Sequence, residues 1–194
     1  MKKIYSILLF LTVITLNNKV QAQVEKGDAN IGFNMFISTI TGVDSDNANG
    51  TMFLSYQKYV TNSVSLGFGP LFSWSASGDS YSSTTGLNGF LNFSILTSGG
   101  KTLPYLGAQY SALFSYSETD GASSFSYTET RSGAVGGNAG VKFFFNEYAN
   151  LDLNLSYTSI IAASFDNGNG FEEIDAEGGI LQFTVGIGVI IAKK

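Results

Sequence analysis

Hydrophobic residues recur at every second position over most of this chain. From Ser63 to Ser75 the even positions are Val64, Leu66, Phe68, Pro70, Phe72 and Trp74, and serine and glycine fill most of the odd ones. Near the C-terminus Leu181, Phe183, Val185, Ile187, Val189 and Ile191 alternate with Gln182, Thr184, Gly186 and Gly188, and Leu151, Leu153, Leu155 and Tyr157 alternate with Asp152, Asn154, Ser156 and Thr158. A period of two puts alternate side chains on opposite faces of an extended strand. Weaker alternation over 31–37, 52–56, 87–95, 106–116 and 135–145 completes eight predicted strands, at 29–40, 51–60, 63–76, 86–97, 103–117, 131–145, 149–163 and 178–192. Their connections have 10, 2, 9, 5, 13, 3 and 14 residues, so long and short alternate without exception. The short ones, such as Thr61-Asn62, read as hairpin turns, and the long ones are rich in Gly, Ser, Asn and Asp. The layout predicts an all-β fold, an eight-stranded antiparallel up-and-down transmembrane β-barrel with turns at one end and loops at the other.

Alternation alone does not say which face meets the surroundings; charge does. A soluble lipocalin-like barrel turns its polar face to water, and such a surface is roughly 25–35% charged. Within the eight predicted strands the only charges are Lys58, Arg131, Lys142 and Asp152. The polar phase is instead Ser, Thr, Asn, Gln and Gly, which suits a narrow hydrogen-bonded interior, and the apolar phase suits lipid. The four long connections carry eleven of the fifteen acids and no lysine or arginine, while Lys26, Lys58, Lys101, Lys142, Lys193 and Lys194 sit toward the short-turn end. Aromatics flank the wall at both levels, Trp74, Tyr116 and Phe165 near the loops and Tyr56, Tyr59, Tyr105, Phe145 and Tyr148 near the turns, as interfacial girdles would.

The N-terminus follows different rules. Lys2 and Lys3 precede an apolar run from Ile4 to Leu16, and Val20-Gln21-Ala22 is a small-residue cleavage pattern. We read residues 1–22 as a secretory signal peptide and 23–194 as the barrel domain; thirteen apolar residues fall short of the ~20 that a spanning helix needs. Removing the signal leaves seven basic against fifteen acidic residues, a net charge of −8. That balance argues against nucleic acid as a partner, because phosphates are neutralised by Lys and Arg. The chain has no cysteine and no histidine. It therefore lacks the thiolate nucleophile, the commonest general base and the commonest metal ligand.

With strand, turn and charge pattern in place, the chain resembles the eight-stranded outer-membrane β-barrel proteins of the OmpX, OmpW and OmpA-transmembrane-domain type. The resemblance spans Ala29 to Ala192 and rests on the shared pattern and on joints such as Lys58-Tyr59-Val60-Thr61-Asn62-Ser63-Val64 and Phe143-Phe144-Phe145-Asn146-Glu147-Tyr148-Ala149. It implies a bacterial outer-membrane location, contact with outer-membrane lipid and lipopolysaccharide, and insertion by the barrel-assembly machinery. Two departures stand out. Many members end on an aromatic residue, whereas this chain ends Ile190-Ile191-Ala192-Lys193-Lys194; and Pro70 lies inside a predicted strand, where it is expected to mark a bulge.

No motif for catalysis survives inspection. Barrel proteases and lipid A-modifying enzymes use histidine, and Ser98 and Lys101 share a Ser-x-x-Lys spacing in a Gly-Ser turn without companion motifs. The Asp44–Gly50 segment fails a calcium-loop pattern, with Ala48 at a ligand position. Glu172, Glu173, Asp175 and Glu177 could gather divalent cations bridging to lipopolysaccharide, but a solvated acidic loop needs no ligand and is the preferred reading. Lys142 and Asp152 lie equally far from Glu147 in the polar phase, so a turn centred there would pair them as an interior ion pair locking the turn end. Phe53, Gln57, Tyr59, Phe90 and Phe144 are bulky inward candidates that would fill an eight-stranded lumen. The expected protein is a monomeric, non-catalytic, cofactor-free envelope protein with a structural or surface-interaction role. A narrow porin-like conduit for small, hydrophobic molecules is the second reading, and a secreted soluble ligand-binding β-barrel the third.

Overall fold

A computed structural model describes residues 24–40, 47–78, 80–96, 101–121, 124–166, 171–174 and 179–191. The predicted signal segment and Asp44, Asp46, Asp79, Asp175 and Glu177 fall outside them. The strands are β1 (Ala29–Ile40), β2 (Asn47–Tyr59), β3 (Val64–Ser77), β4 (Ser80–Ser94), β5 (Thr102–Gly121), β6 (Ser124–Phe144), β7 (Ala149–Asp166), β8 (Phe171–Ile174) and β9 (Gly179–Ile191). Every pairing is antiparallel; β1 to β7 pair in sequence, β7 pairs β9, and β9 returns to β1. Eight strands thus close a barrel. The ninth, β8, pairs the outer part of β7 on the edge that β9 occupies further down.

The register fixes the barrel's geometry. Starting at Val189 and stepping across paired residues Ile31, Tyr56, Phe68, Gly89, Tyr110, Val135 and Ser159, the path returns to β9 at Gly179, ten residues away. An eight-stranded barrel with a stagger of ten has strands tilted by roughly 35–45° and an interior only wide enough for side chains or one small ligand. The exposed phase is the apolar one: Phe33, Leu54, Phe68, Leu87, Leu106, Leu155 and Ile187 all face outward. The inward phase is polar, with Asn30, Gln57, Ser65, Asn92, Lys142, Asn150 and Asp152 buried. Such a sheet is inverted relative to a soluble barrel, and only lipid outside makes that burial favourable.

Several expectations change. The connections after β3 and β5 are not nine- and thirteen-residue loops. Pairing runs to Ser77 with Ser80 and to Gly121 with Ser124, so long strands rise beyond the apolar belt and carry Glu118 and Glu129 in register. Their Thr, Tyr and Phe content favours strand without an apolar face to bury, which is why hydrophobic periodicity missed them. Pro70 makes no bulge: Phe53–Leu71 and Tyr56–Phe68 keep one register across it, and the ladder to β2 lapses only opposite Gly69 and Pro70. The extra residue is Ile161 in β7, where Gly133 pairs Ala162 and Ala134 pairs Ile160. Tyr59 and Tyr105 are not girdle residues. They share the inward phase of Gln57 and Leu103 and are 0% and 4% exposed, so strand phase overrides their aromatic type.

The barrel seam is closed over only half its length. β1 pairs β9 from Ala29–Ile191 to Met35–Val185, although β1 continues to pair β2 up to Ile40. Among the described residues no pairing joins Phe36–Ile40 to Gly179–Thr184. Exposed Met35, Phe183 and Leu181 border this gap, and in hydrocarbon each unsatisfied backbone group costs several kcal/mol. The gap is tolerable because it backs onto the polar lumen. In a micelle or nanodisc, alternate amides within Gly179–Thr184 are expected to exchange with solvent roughly tenfold or more faster than those within Val185–Ile191. Equal protection along β9, measured by hydrogen–deuterium exchange, would show the seam to be closed.

Candidate functional site in the barrel lumen

The turn end of the barrel is plugged. Tyr59 at the end of β2, Leu103 at the start of β5, Phe144 at the end of β6 and Ile190 near the end of β9 point inward at one level and are nearly fully buried. Val24, in the segment before β1, joins them. It is placed by a turn in which Gly27 N–H donates to Tyr59 O (2.8 Å), Tyr59 N–H donates to Asp28 O (2.9 Å) and Glu25 N–H donates to Asp28 Oδ2 (2.9 Å). Gly27 has φ +101°, a region where a side chain would be strained. Lys26 N–H donates to Asn62 Oδ1 in the neighbouring turn (3.0 Å), tying the segment down. Sequence periodicity could not find Val24, because a lone apolar residue before the first strand has no period.

A polar layer lies directly above the plug. Lys142 on β6 and Asp152 on β7 are register partners, as their symmetry about Glu147 requires, and Lys142 Nζ lies 2.6 Å from Asp152 Oδ2. The other carboxylate oxygen accepts from Tyr105 OH (2.8 Å), whose oxygen accepts from Asn154 Nδ2 (2.8 Å), and the Lys142 ammonium stands 5.5 Å from the Tyr105 ring centroid. Asn150 Nδ2 donates to Asn30 Oδ1 (3.2 Å) and Gln57 Nε2 to Ser65 Oγ (2.6 Å). Two opposite charges so placed cancel each other and hold neighbouring strands in register.

Above this floor the lumen opens into a cavity of about 270 Å³. Amide and hydroxyl side chains are the most numerous on its wall. Asn138 Nδ2 donates to Asn92 Oδ1 (3.2 Å), Ser111 Oγ to Asn88 Oδ1 (3.2 Å) and Gln109 Nε2 to Thr158 Oγ1 (2.8 Å). Phe53 and Phe90 meet edge-to-face with centroids 6.0 Å apart, and Leu71, Leu113, Ile160 and Ile180 supply apolar surface toward the long-loop end. Gly107 shapes the waist: a Cβ there would overlap Asn92 Oδ1, Asn138 Oδ1 and the Leu91 carbonyl. Its missing side chain is the space into which two amides fold.

Of the sequence-selected residues, Phe53, Gln57 and Phe90 line the cavity, and Tyr59 and Phe144 belong to the plug. Of the acidic set, Glu172 and Glu173 pair with Phe165 and Ser164 through the backbone of β8, and Asp175 and Glu177 lie outside the described residues. Among the described residues no group of three or more acids forms a metal-binding cluster.

Comparison with known proteins agrees with the architecture. A family described as outer membrane protein beta-barrel domain matches residues 6–188. The solved structure of OprG from Pseudomonas aeruginosa superposes with a TM-score of 0.58 at 13% identity, covering 89% of this chain and 99% of that one. Neisserial surface protein A gives a TM-score of 0.55 at 14% identity, covering 84% and 94%. A major outer membrane protein from Thermus thermophilus gives 0.51 at 10% identity, covering 85% and 99%. At these identities the likeness is one of fold. No curated protein matches the chain.

Removing one partner of the buried pair leaves the other uncompensated, so Lys142→Met is expected to destabilise the barrel by about 3–5 kcal/mol. The double change Lys142→Met with Asp152→Leu should recover most of that loss. Urea titration read by the gel mobility of folded and unfolded barrel checks both, and an unshifted midpoint for Lys142→Met would remove the pair's structural role.

Proposed function

Because the chain belongs to the outer membrane protein β-barrel domain family, we propose that it is a non-catalytic, non-conducting barrel of the bacterial outer membrane that holds an acid-rich polar rim at the cell surface. The observation that carries this reading is the plug. Val24, Tyr59, Leu103, Phe144 and Ile190 fill the turn end, and the Lys142–Asp152–Tyr105 layer stands behind them, which supports a blind lumen over a pore. The absence of histidine and cysteine from the whole sequence supports a role without chemistry. Export by a cleaved N-terminal signal, contact with lipopolysaccharide, insertion by the barrel-assembly machinery and a monomeric state are parts of the same proposal. Export rests on the Lys2–Ala22 pattern. The other three rest on the lipid-facing apolar phase, which a single barrel buries in the bilayer without a second copy.

A narrow conduit is the competing reading, favoured by the cavity of about 270 Å³. Single-channel recording in planar bilayers separates the two: the proposal expects no discrete current steps, and reproducible steps from the folded protein would establish the conduit. Orientation is tested with the same chain, since it has no cysteine of its own. Ser117→Cys should react with a membrane-impermeant maleimide on intact cells, and Asn62→Cys only after permeabilisation. The reverse pattern would turn the barrel over.

A further inference from the structure

The lumen cavity is more specific in its chemistry than a space filled by chance. Its wall carries Asn34, Asn88, Asn92, Asn138, Gln109 and Gln182, each an amide that both donates and accepts. Among the described residues the one charged pair on the wall, Lys142 with Asp152, is self-neutralised at 2.6 Å. Two amide oxygens, Asn34 Oδ1 and Asn138 Oδ1, are buried without a hydrogen-bond partner, and Asn34 is only 9% exposed. Gln182 and Thr184 line the cavity on the stretch of β9 that, among the described residues, has no strand partner on its β1 side.

We propose that this cavity is a binding site for a small, uncharged, polyhydroxylated molecule, a free sugar or the terminal sugar of a glycan. Exclusion and fit both lead there. A charged ligand would enter a narrow lumen with no counter-charge to spare, at a large desolvation cost. A purely apolar ligand would displace water from the amide and hydroxyl groups of the wall and return no hydrogen bond, at about 1–3 kcal/mol for each group left unpaired. A sugar hydroxyl donates and accepts as the amides do, so a ring of hydroxyls can bond to the amide and hydroxyl groups that line the cavity, Gln182 and Thr184 among them. Its C–H faces find the Phe53 and Phe90 rings and the Leu113 and Ile160 side chains. About 270 Å³ lies at the small end of ligand sites, which run to roughly 300–1,000 Å³, and suits one or two sugar rings. The blind floor makes the molecule a ligand that is held, not one that passes through.

The test uses the full mature barrel in dodecylphosphocholine, because glucoside and maltoside detergents carry the proposed ligand chemistry themselves. Side-chain amide resonances of Asn and Gln are followed by NMR while glucose, N-acetylglucosamine, cellobiose or glucuronate is added at millimolar concentration. The uncharged sugars are expected to shift the Asn138 and Gln109 resonances saturably, and glucuronate is not. A response to cellobiose much stronger than to glucose identifies a glycan end as the source; the reverse identifies a free sugar. Asn138→Leu and, separately, Thr158→Val should each weaken binding at least tenfold, while Tyr110→Phe on the lipid face leaves it unchanged. No saturable shift with any uncharged sugar, equal binding of glucuronate, or shifts that survive both lumen substitutions in protein that still runs as a folded barrel would overturn the proposal. Conductance is not involved, so this outcome is independent of whether the barrel conducts.

Discussion

A sheet in hydrocarbon cannot keep an edge, and nearly everything in this molecule follows from that. Each unpaired backbone N–H or C=O facing lipid costs several kcal/mol, so the strands must close on themselves. Closing with eight strands and a stagger of ten leaves an interior so narrow that side-chain volume becomes the next constraint. The inward phase meets it with small residues and glycines, and the larger side chains that remain are folded into the gaps: Asn92 and Asn138 over Gly107, Phe90 over Gly67, Tyr105 over Gly140. Glycine in a strand is ordinarily a weakness. Here it is the room that a closed barrel needs in order to hold amides and rings within.

The buried Lys142–Asp152 pair has to be understood within that enclosure. Desolvating two charges offsets much of their attraction, so such a pair adds little net stability over an apolar replacement of similar size. What it adds is definition. Asp152 uses one oxygen for Lys142 and the other for Tyr105, and Tyr105 is in turn fixed by Asn154, so β5, β6 and β7 are tied at one level. A one-residue slip of either strand would turn Lys142 or Asp152 toward lipid and leave the other buried without its counter-charge. The hydrophobic plug beneath, by contrast, is stabilised by simple burial and tolerates changes of shape more readily.

How legible this was in the sequence divides along the same physical line. Where lipid meets the wall, apolar and polar residues alternate, and β1, β3, β7 and β9 could be placed from Ile31, Phe68, Leu155 and Val185 with their facing direction correct. The Lys142–Asp152 juxtaposition was legible too, because a short hairpin fixes register by symmetry. Above the belt the strands face water on both sides, so the upper parts of β4, β5 and β6 carry no hydrophobic period and read as loops. Tyr105 was misplaced because residue type was weighed above strand phase, and Tyr59, assigned both to the girdle and to the lumen, belongs to the lumen. Val24 and the half-closed seam were invisible for a different reason: one is a tertiary contact of a turn, and the other is an absence of pairing between strands more than a hundred residues apart.

That seam sets the two halves of the barrel apart. Toward the turns, β1 and β9 are fully paired and the lumen is packed with Tyr59, Leu103, Phe144, Ile190 and Val24. Toward the loops, the same two strands lose their pairing at Met35–Val185, and the lumen widens into the amide-lined cavity. The coincidence has a physical basis, since unpaired backbone at membrane depth is tolerated where it lines a polar or water-filled space. A packed core therefore cannot sit behind an open seam, and a roomy polar lumen does not require a closed one. Packing and full pairing thus coincide in the turn half, and the open seam coincides with the roomy polar lumen in the loop half.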